Sequence, residues 1–385
     1  MDVVLVGGGH AHLGVLKAFG MVPEPGVRIT LVARDLQTSY SGMMPGVIAG
    51  LYPPEESRID LARLAVAVRA GLVHGQAVGL NRARKQVLVA GQDPVRYDLV
   101  SFDVGAAPDL VSIRDADKAI AVKPINELWG KLEALRARCR DGAGRRRITV
   151  IGGGATGVEL LLSLQARLRA ELAAAGRDLS ALSFVLATDG PVLAGHNPRV
   201  RAAFRRIMRQ RQIVLEEDRR VVAIAQGSLI CADGMRIAAD EVLLATPGVA
   251  PHWFAQTGLA LDGRGFVAVH DTLQVLNDLD AFAAGDCATL LGLSLEKSGV
   301  YAVRAGDWLA ANLRRRALSE ALEPWRPQRT RLALISTGER FAVASWGAFK
   351  AEGAWVWSVK DWIDRRWMQS YRRLGGSGAD LPRRK

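Results

Sequence analysis

One stretch of this chain occurs twice, and the repeat limits the folds open to it. Residues 2–12 read Asp-Val-Val-Leu-Val-Gly-Gly-Gly-His-Ala-His and residues 148–157 read Ile-Thr-Val-Ile-Gly-Gly-Gly-Ala-Thr-Gly. In both, an apolar strand runs into three glycines and then into helical spacing. Glycines there allow a tight turn and let the backbone approach a pyrophosphate, whose charge meets the free amides and positive dipole end of the helix that follows. A single copy is weak evidence for a dinucleotide site, because ordinary strand-to-helix turns also use glycine. Two copies in register predict an α/β chain with two Rossmann-like domains, holding two dinucleotides or one dinucleotide and a decayed second site.

The 385 residues suffice for two or three domains, and 49% hydrophobic residues with 40 glycines fit that class. Three scattered cysteines, Cys139, Cys231 and Cys287, exclude a disulfide framework and predict no metal site, which points to a reducing cytoplasmic compartment. The apolar start at Val3 is too short for a signal peptide, and no apolar run is long enough to span a membrane as a helix. A net charge of +12 favours either an anionic neighbour, such as an acidic membrane surface or a nucleotide, or simply a solvated basic surface.

Around the first cradle, helical spacing continues through Leu13, Leu16 and Phe19, and a second strand is expected from Val27 to Val32. The acid that would hold an adenosine ribose at that strand's end is missing: Ala33 stands there, followed by Arg34 and Asp35. His12 replaces the third small residue of the motif, and His10 opens the helix in a structural or phosphate-facing role. Residues 39–53 form a Gly/Pro-rich segment with apolar bulk, suited either to lining a planar cofactor with Met44 and Pro45 or to a buried connection. A helix over Ile59–Arg69 and a buried strand ending in the turn at Gly105 follow.

The second cradle lies in a domain expected over 112–240, with helices from Ile125 to Arg138 and from the cradle to Ala175. Glu159 falls on the first turn of the latter, where the dipole favours an acid. Its second strand, Phe184–Ala187, ends in Thr188-Asp189, without the expected ribose-binding acid or an arginine marking a 2′-phosphate. Arginines crowd 199–220 at mixed helical spacing, as solvated helix faces do.

The first cradle, the turn Gly105-Ala106-Ala107-Pro108, the second cradle with Glu159, Ala245-Thr246-Pro247-Gly248-Val249-Ala250-Pro251 and Ala283-Ala284-Gly285-Asp286-Cys287-Ala288 occur in this order. Over about residues 1–320 the set resembles the FAD- and NAD(P)H-binding flavoprotein oxidoreductases with two nucleotide domains. It is most similar to type II NADH dehydrogenases and to the flavoprotein module fused ahead of selenophosphate synthase, although no synthase domain is present here. The resemblance implies that the FAD domain, 1–111, is interrupted by the NAD(P)H domain and resumes over 241–320. FAD would be held by Gly7, Gly9, His10, Arg34, Gly105, Gly285 and Asp286, with Met44 and Pro45 beside the isoalloxazine. Gly152, Gly154, Gly157 and Gly248 would serve the nicotinamide side, with Glu159 facing nicotinamide and flavin. On the helix after Lys297, the family's quinone-site glutamines are replaced by Tyr301 and Arg304. A cation near the flavin N1–O2 edge, Lys297 or Arg304, would complete the catalytic set with Glu159.

The tail, 321–385, is expected to form strands at Arg331–Ser336 and Phe341–Trp346, then an amphipathic helix from Ala354. Val359, Ile363, Trp367 and Tyr371 share one face, with Trp362 beside them. Residues 350–385 carry nine Lys/Arg against four Asp/Glu, a local net of 9 − 4 = +5. That helix suits either an anionic membrane interface or docking onto the chain's own core. Residues 375–385 are expected to be disordered.

The leading expectation is an enzyme passing electrons from NAD(P)H through FAD to a quinone-type acceptor, as a peripheral contact on the inner membrane face, with no nucleic-acid partner and a homodimer left open. No Cys-x-x-Cys pair exists to support a disulfide reductase, and Cys287 reads as an inert buried thiol. The alternatives are a flavoenzyme of sulfur or selenium metabolism with a non-nicotinamide donor, and a flavin-carrying redox partner without turnover.

Overall fold

The computed structural model describes residues 1–142, 144–293, 295–328 and 330–375. The expected disordered end beyond 375 lies outside them. Asp2–Val6 forms the strand before the first cradle, and Val3 to Val6 are all at most 1% exposed, so the strand is buried on both faces. It is flanked by parallel strands Arg28–Ala33 and Leu99–Phe102, with Gly71–His74 and Asp278–Ala283 outside them. Helices α1 (His10–Met21), α2 (Met44–Ala49) and α3 (Leu61–Ala67) belong to this part of the chain. The expected helix from Ile59 starts later, because Arg58–Asp60 pairs as a strand with Gln37–Ser39 and Asp60 then caps α3 by accepting from the Arg63 amide at 2.9 Å. Inside the expected loop 39–53, Pro45 sits in the first turn of α2, which packs against the second domain's long helix.

The second sheet is parallel throughout, in the order Ile120–Ala121, Glu241–Leu244, Arg146–Ile151, Leu182–Ala187, Ile213–Glu216. It carries α4 (Ile125–Asp141), α5 (Ala155–Ala174) and α6 (Pro198–Gln210). The expected boundary at 240/241 falls inside this unit: strand Glu241–Leu244 sits beside Arg146–Ile151, and Glu241 is tied to Arg138 at 2.8 Å and Arg146 at 3.2 Å. The chain rejoins the first sheet at Val267–Val269. The two crossings between domains, near Ala107 and Val249, hydrogen-bond each other in antiparallel register at 2.8 and 2.9 Å.

Helix α7 (Gly299–Ala317) packs on α1, and the tail follows as a three-stranded antiparallel sheet, Ala333–Ser336, Ala342–Trp346 and Phe349–Gly353, the last of which the sequence pattern missed. The tail ends in α8 (Ala354–Gly375). Ile335 and Val343 enter the core of the second domain, whereas Val356, Trp357, Met368 and Tyr371 enter that of the first. The tail therefore clamps both domains. Among the described residues no helix is long and apolar enough to cross a membrane.

Candidate active site between the two glycine cradles

At the first cradle Gly7 turns the chain with φ +98°, a backbone region that favours glycine, and Gly9 stands directly before α1. His12 fits where a small residue was expected because its ring is fully buried and engaged, Nδ1 with the Gly7 carbonyl at 2.7 Å and Nε2 with Ser101 Oγ at 2.9 Å. Asp103, which the sequence reading passed over, closes the strand beside the cradle and accepts from the amides of Ala11 at 2.8 Å and His12 at 3.1 Å. The amides of Gly8, Gly9 and His10 have no protein acceptor among the described residues. Three unpaired donors at a helix start are what a pyrophosphate requires, so the residues present fit a dinucleotide.

Asp286 lies at the end of strand Asp278–Ala283 and meets Lys123 Nζ at 2.6 Å. Gly248 approaches this ion pair: a Cβ there would stand 3.7 Å from Lys123 Nζ and 2.7 Å from Ala106 Cβ. Gly105 holds the turn before it with φ +74°. On the other side of the cradle, Arg34 pairs with Asp35 at 2.9 Å and lines a cavity of about 470 Å³ with Met44, His74 and Trp129. Met44 thus shares space with the strand ends that follow Ala33 and Val73, while Pro45 is buried.

In the second cradle Gly152 has φ +125° and packs on the Ala245 carbonyl. Gly157 passes against the Gly152 carbonyl, and Gly154 faces open space at the uncapped start of α5. At its strand end Asp189 is exposed, with Arg220 at 4.0 Å. Glu159 points the other way, to the tail, where it accepts from the Ser336 amide at 2.7 Å. Burial raises its carboxyl to about 7, against the opposing charge of Lys360.

Lys360 belongs to α8. Its ammonium donates to the Gly42 carbonyl and meets Asp364 at 2.6 Å, both side chains being largely buried. One turn on, Trp367 stacks on Tyr40 with centroids 4.1 Å apart, and His10 sits 5.6 Å from each ring. Burial lowers His10 to about 4, so it is neutral. The tail helix therefore joins the first cradle to Glu159, and the sequence signal for this was the i,i+4 pair Lys360/Asp364 beside aromatic residues.

The two expected catalytic cations each find a partner within the fold. Lys297 donates to the Ala288 carbonyl and to Thr289 Oγ1 at 3.0 Å and lies 4.1 Å from the Phe266 ring centroid, at a cavity of about 290 Å³ shared with Gly285, Asp286 and Tyr301. Arg304 binds Gln328 on the exposed side of α7. The cation that the fold brings to Asp286 is Lys123, from a segment the sequence reading did not single out. All three cysteines are buried and free, and Cys287 donates to the carbonyls of Ala284 and Phe102 at 3.2 and 3.4 Å, its thiol pushed up to about 12 by burial.

Residues 1–308 match the family described as pyridine nucleotide-disulphide oxidoreductase. The chain belongs to this family. It is 24% identical over 330 residues to the type II NADH:quinone oxidoreductase of Haemophilus influenzae, covering 75% of this chain and 74% of that protein. It is 26% identical over 297 residues to the ferredoxin–NAD(+) reductase component of the biphenyl dioxygenase system of Paraburkholderia xenovorans, covering 74% and 67%. The structure of NDH2 from Plasmodium falciparum in complex with NADH shares the fold, with a TM-score of 0.78, 13% identity and 99% of each chain covered. The chain is thus an FAD-dependent oxidoreductase that uses NAD(P)H. The family's name includes disulphide chemistry, yet no two of this chain's cysteines are paired.

Proposed function

We propose that the chain carries electrons from NAD(P)H at the second cradle, by way of FAD at the first, to a quinone-type acceptor at a membrane face. The observation that carries this reading is the two-sided tail. The inner face of α8 sets Lys360, Asp364 and Trp367 against the first cradle, whereas Trp355 (61% exposed), Val359, Trp362 (60%) and Ile363 face outward. Trp346 and Phe349 of the adjoining hairpin are exposed as well. The face expected to unite Val359, Ile363, Trp367 and Tyr371 is split, because burial follows Trp357, Asp364, Met368 and Tyr371. One helix thereby both docks on the core and presents aromatic and aliphatic surface with Arg365 and Arg366 alongside, a composition suited to an anionic lipid interface.

In this reading the amides of Gly8, Gly9 and His10 would hold the FAD pyrophosphate, Arg34 would line the adenosine end together with Met44, which was expected beside the isoalloxazine, and Asp286 would orient the ribityl chain. When bound, FAD would supply the hydride- and electron-transfer chemistry. Lys123 holds positive charge beside Asp286, in the role expected of Lys297 or Arg304. Gly152, Gly154 and Gly157 place NAD(P)H at the start of α5, with Gly248 and Gly105 shaping the crossing between the sites. Glu159 holds or releases a proton near neutral pH and is kept in place by the Ser336 amide. Tyr40, His10 and Trp367 exclude water from the first cradle.

The test is anaerobic addition of NADH, NADPH or neither to the purified flavoprotein. One of the two nucleotides should bleach the flavin absorbance and a short-chain quinone should restore it. Absence of bleaching would overturn the donor, and recovery with a ferredoxin but not a quinone would overturn the acceptor.

A further inference from the structure

Asp103 is 3% exposed and sits wedged between two glycines assigned to the cofactor. A Cβ on Gly9 would stand 2.3 Å from its carboxyl carbon, and a Cβ on Gly285 would stand 2.3 Å from Oδ1. Its Oδ2 is satisfied by the amides of Ala11 and His12. Oδ1 has no hydrogen-bond partner among the described residues, and it lies on the side of Gly285, where the ligand would pass from the free amides of Gly8, Gly9 and His10 towards Asp286. A carboxylate in that place would repel a pyrophosphate, whereas a neutral acid would present it with one more donor.

Resting on the assignment of FAD to the first cradle, we propose that Asp103 is a cofactor-binding residue that holds FAD as a neutral acid, its Oδ1–H donating to a pyrophosphate oxygen. FAD is then retained while Asp103 keeps its proton and released as Asp103 ionises. Burial raises this carboxyl to about 7, with Asp286 adding to the rise and the two amides opposing it. Among the groups around it, burial also lowers the Lys297 ammonium, so the Asp103→Asn variant rather than the wild-type slope assigns the titration. His10 and His12 are neutral, each lowered to about 4 by burial, and the Cys287 thiol is pushed up to about 12. Asp286 is paired with Lys123, and Lys297 is held by Ala288 and Thr289. The sign follows from linkage: FAD binds the protonated form, so affinity is full below neutrality and falls about tenfold per pH unit above it, until the pKa of the complex is reached.

The experiment measures FAD released on dilution of the holoenzyme from pH 6 to 9, by flavin fluorescence, with far-UV circular dichroism to check that the fold persists. Wild type should release FAD progressively above neutrality, and Asp103→Asn, whose amide donates at every pH, should release it independently of pH. A flat wild-type profile, or an equal slope in Asp103→Asn, overturns the proposal. If Asp103→Asn does not fold, Asp103→Ser, which likewise cannot ionise, replaces it, and a pH slope equal to that of wild type overturns the proposal. Asp286→Asn, measured at pH 6, separates the underlying assignment: unchanged retention there means that FAD is not held at the first cradle, whereas weakened retention with a flat wild-type profile removes only the role of Asp103.

Discussion

Replacing Lys360 by Met tests whether the tail helix is held to the first cradle by a buried charge pair. The ammonium meets Asp364 at 2.6 Å, with only 12% and 6% of the two side chains exposed, and it also satisfies the Gly42 carbonyl. Removing one partner of such a pair leaves an uncompensated buried charge, which costs about 3–5 kcal/mol. Asp364 keeps Tyr40 beside it in the variant, so the lower end, about 3 kcal/mol, is the expected loss. If α8 opens as a unit, that loss speeds amide exchange across 354–374 by roughly 100-fold, since about 1.4 kcal/mol is a factor of ten. Hydrogen exchange read by mass spectrometry on α8 peptides is the assay, with the strand Arg146–Ile151 as internal reference. The double variant Lys360→Met, Asp364→Leu should recover most of the protection, because a well-packed apolar pair replaces an ion pair at little cost. Exchange in α8 within threefold of wild type for the single variant would refute the argument.

Replacing Trp355 and Trp362 together by Ser should reduce sedimentation with anionic vesicles by more than tenfold and leave the melting temperature unchanged, because both rings are mostly exposed. Undiminished vesicle binding would reject the outer face as the lipid contact. Cys287→Ser should turn over within twofold of wild type, since serine still donates to the Ala284 carbonyl and no partner thiol is at hand. A tenfold loss in steady-state rate would reveal thiol chemistry.

What was legible in the sequence is what the backbone dictates locally. Both cradles, the strands that feed them and the helices that leave them follow from glycines set between a buried apolar strand and a helical repeat. The residues that complete the site come from afar: Lys123 is 163 positions from Asp286, and Ser336 is 177 from Glu159. No local pattern encodes such meetings. Lys297 and Arg304 were placed at the right end of α7, yet the direction of a long side chain depends on what it finds, here Phe266 and Thr289 for one and Gln328 for the other. The helical period of α8 was clear, whereas its inner face was not, because apolar residues occupy more than one side and the buried one also carries Lys360 and Asp364. The boundary at 240 failed for a related reason: Glu241-Val-Leu-Leu reads as a strand, but only pairing reveals which sheet receives it.

The contact of His10 and Tyr40 with Trp367 sets an order of events during synthesis. The first cradle is synthesised well before Trp367, which closes the aromatic wall over it. Until then the first cradle stands open to solvent with its neighbour Tyr40 unstacked. A premature stop near position 355 would therefore act as a lesion at residue 10.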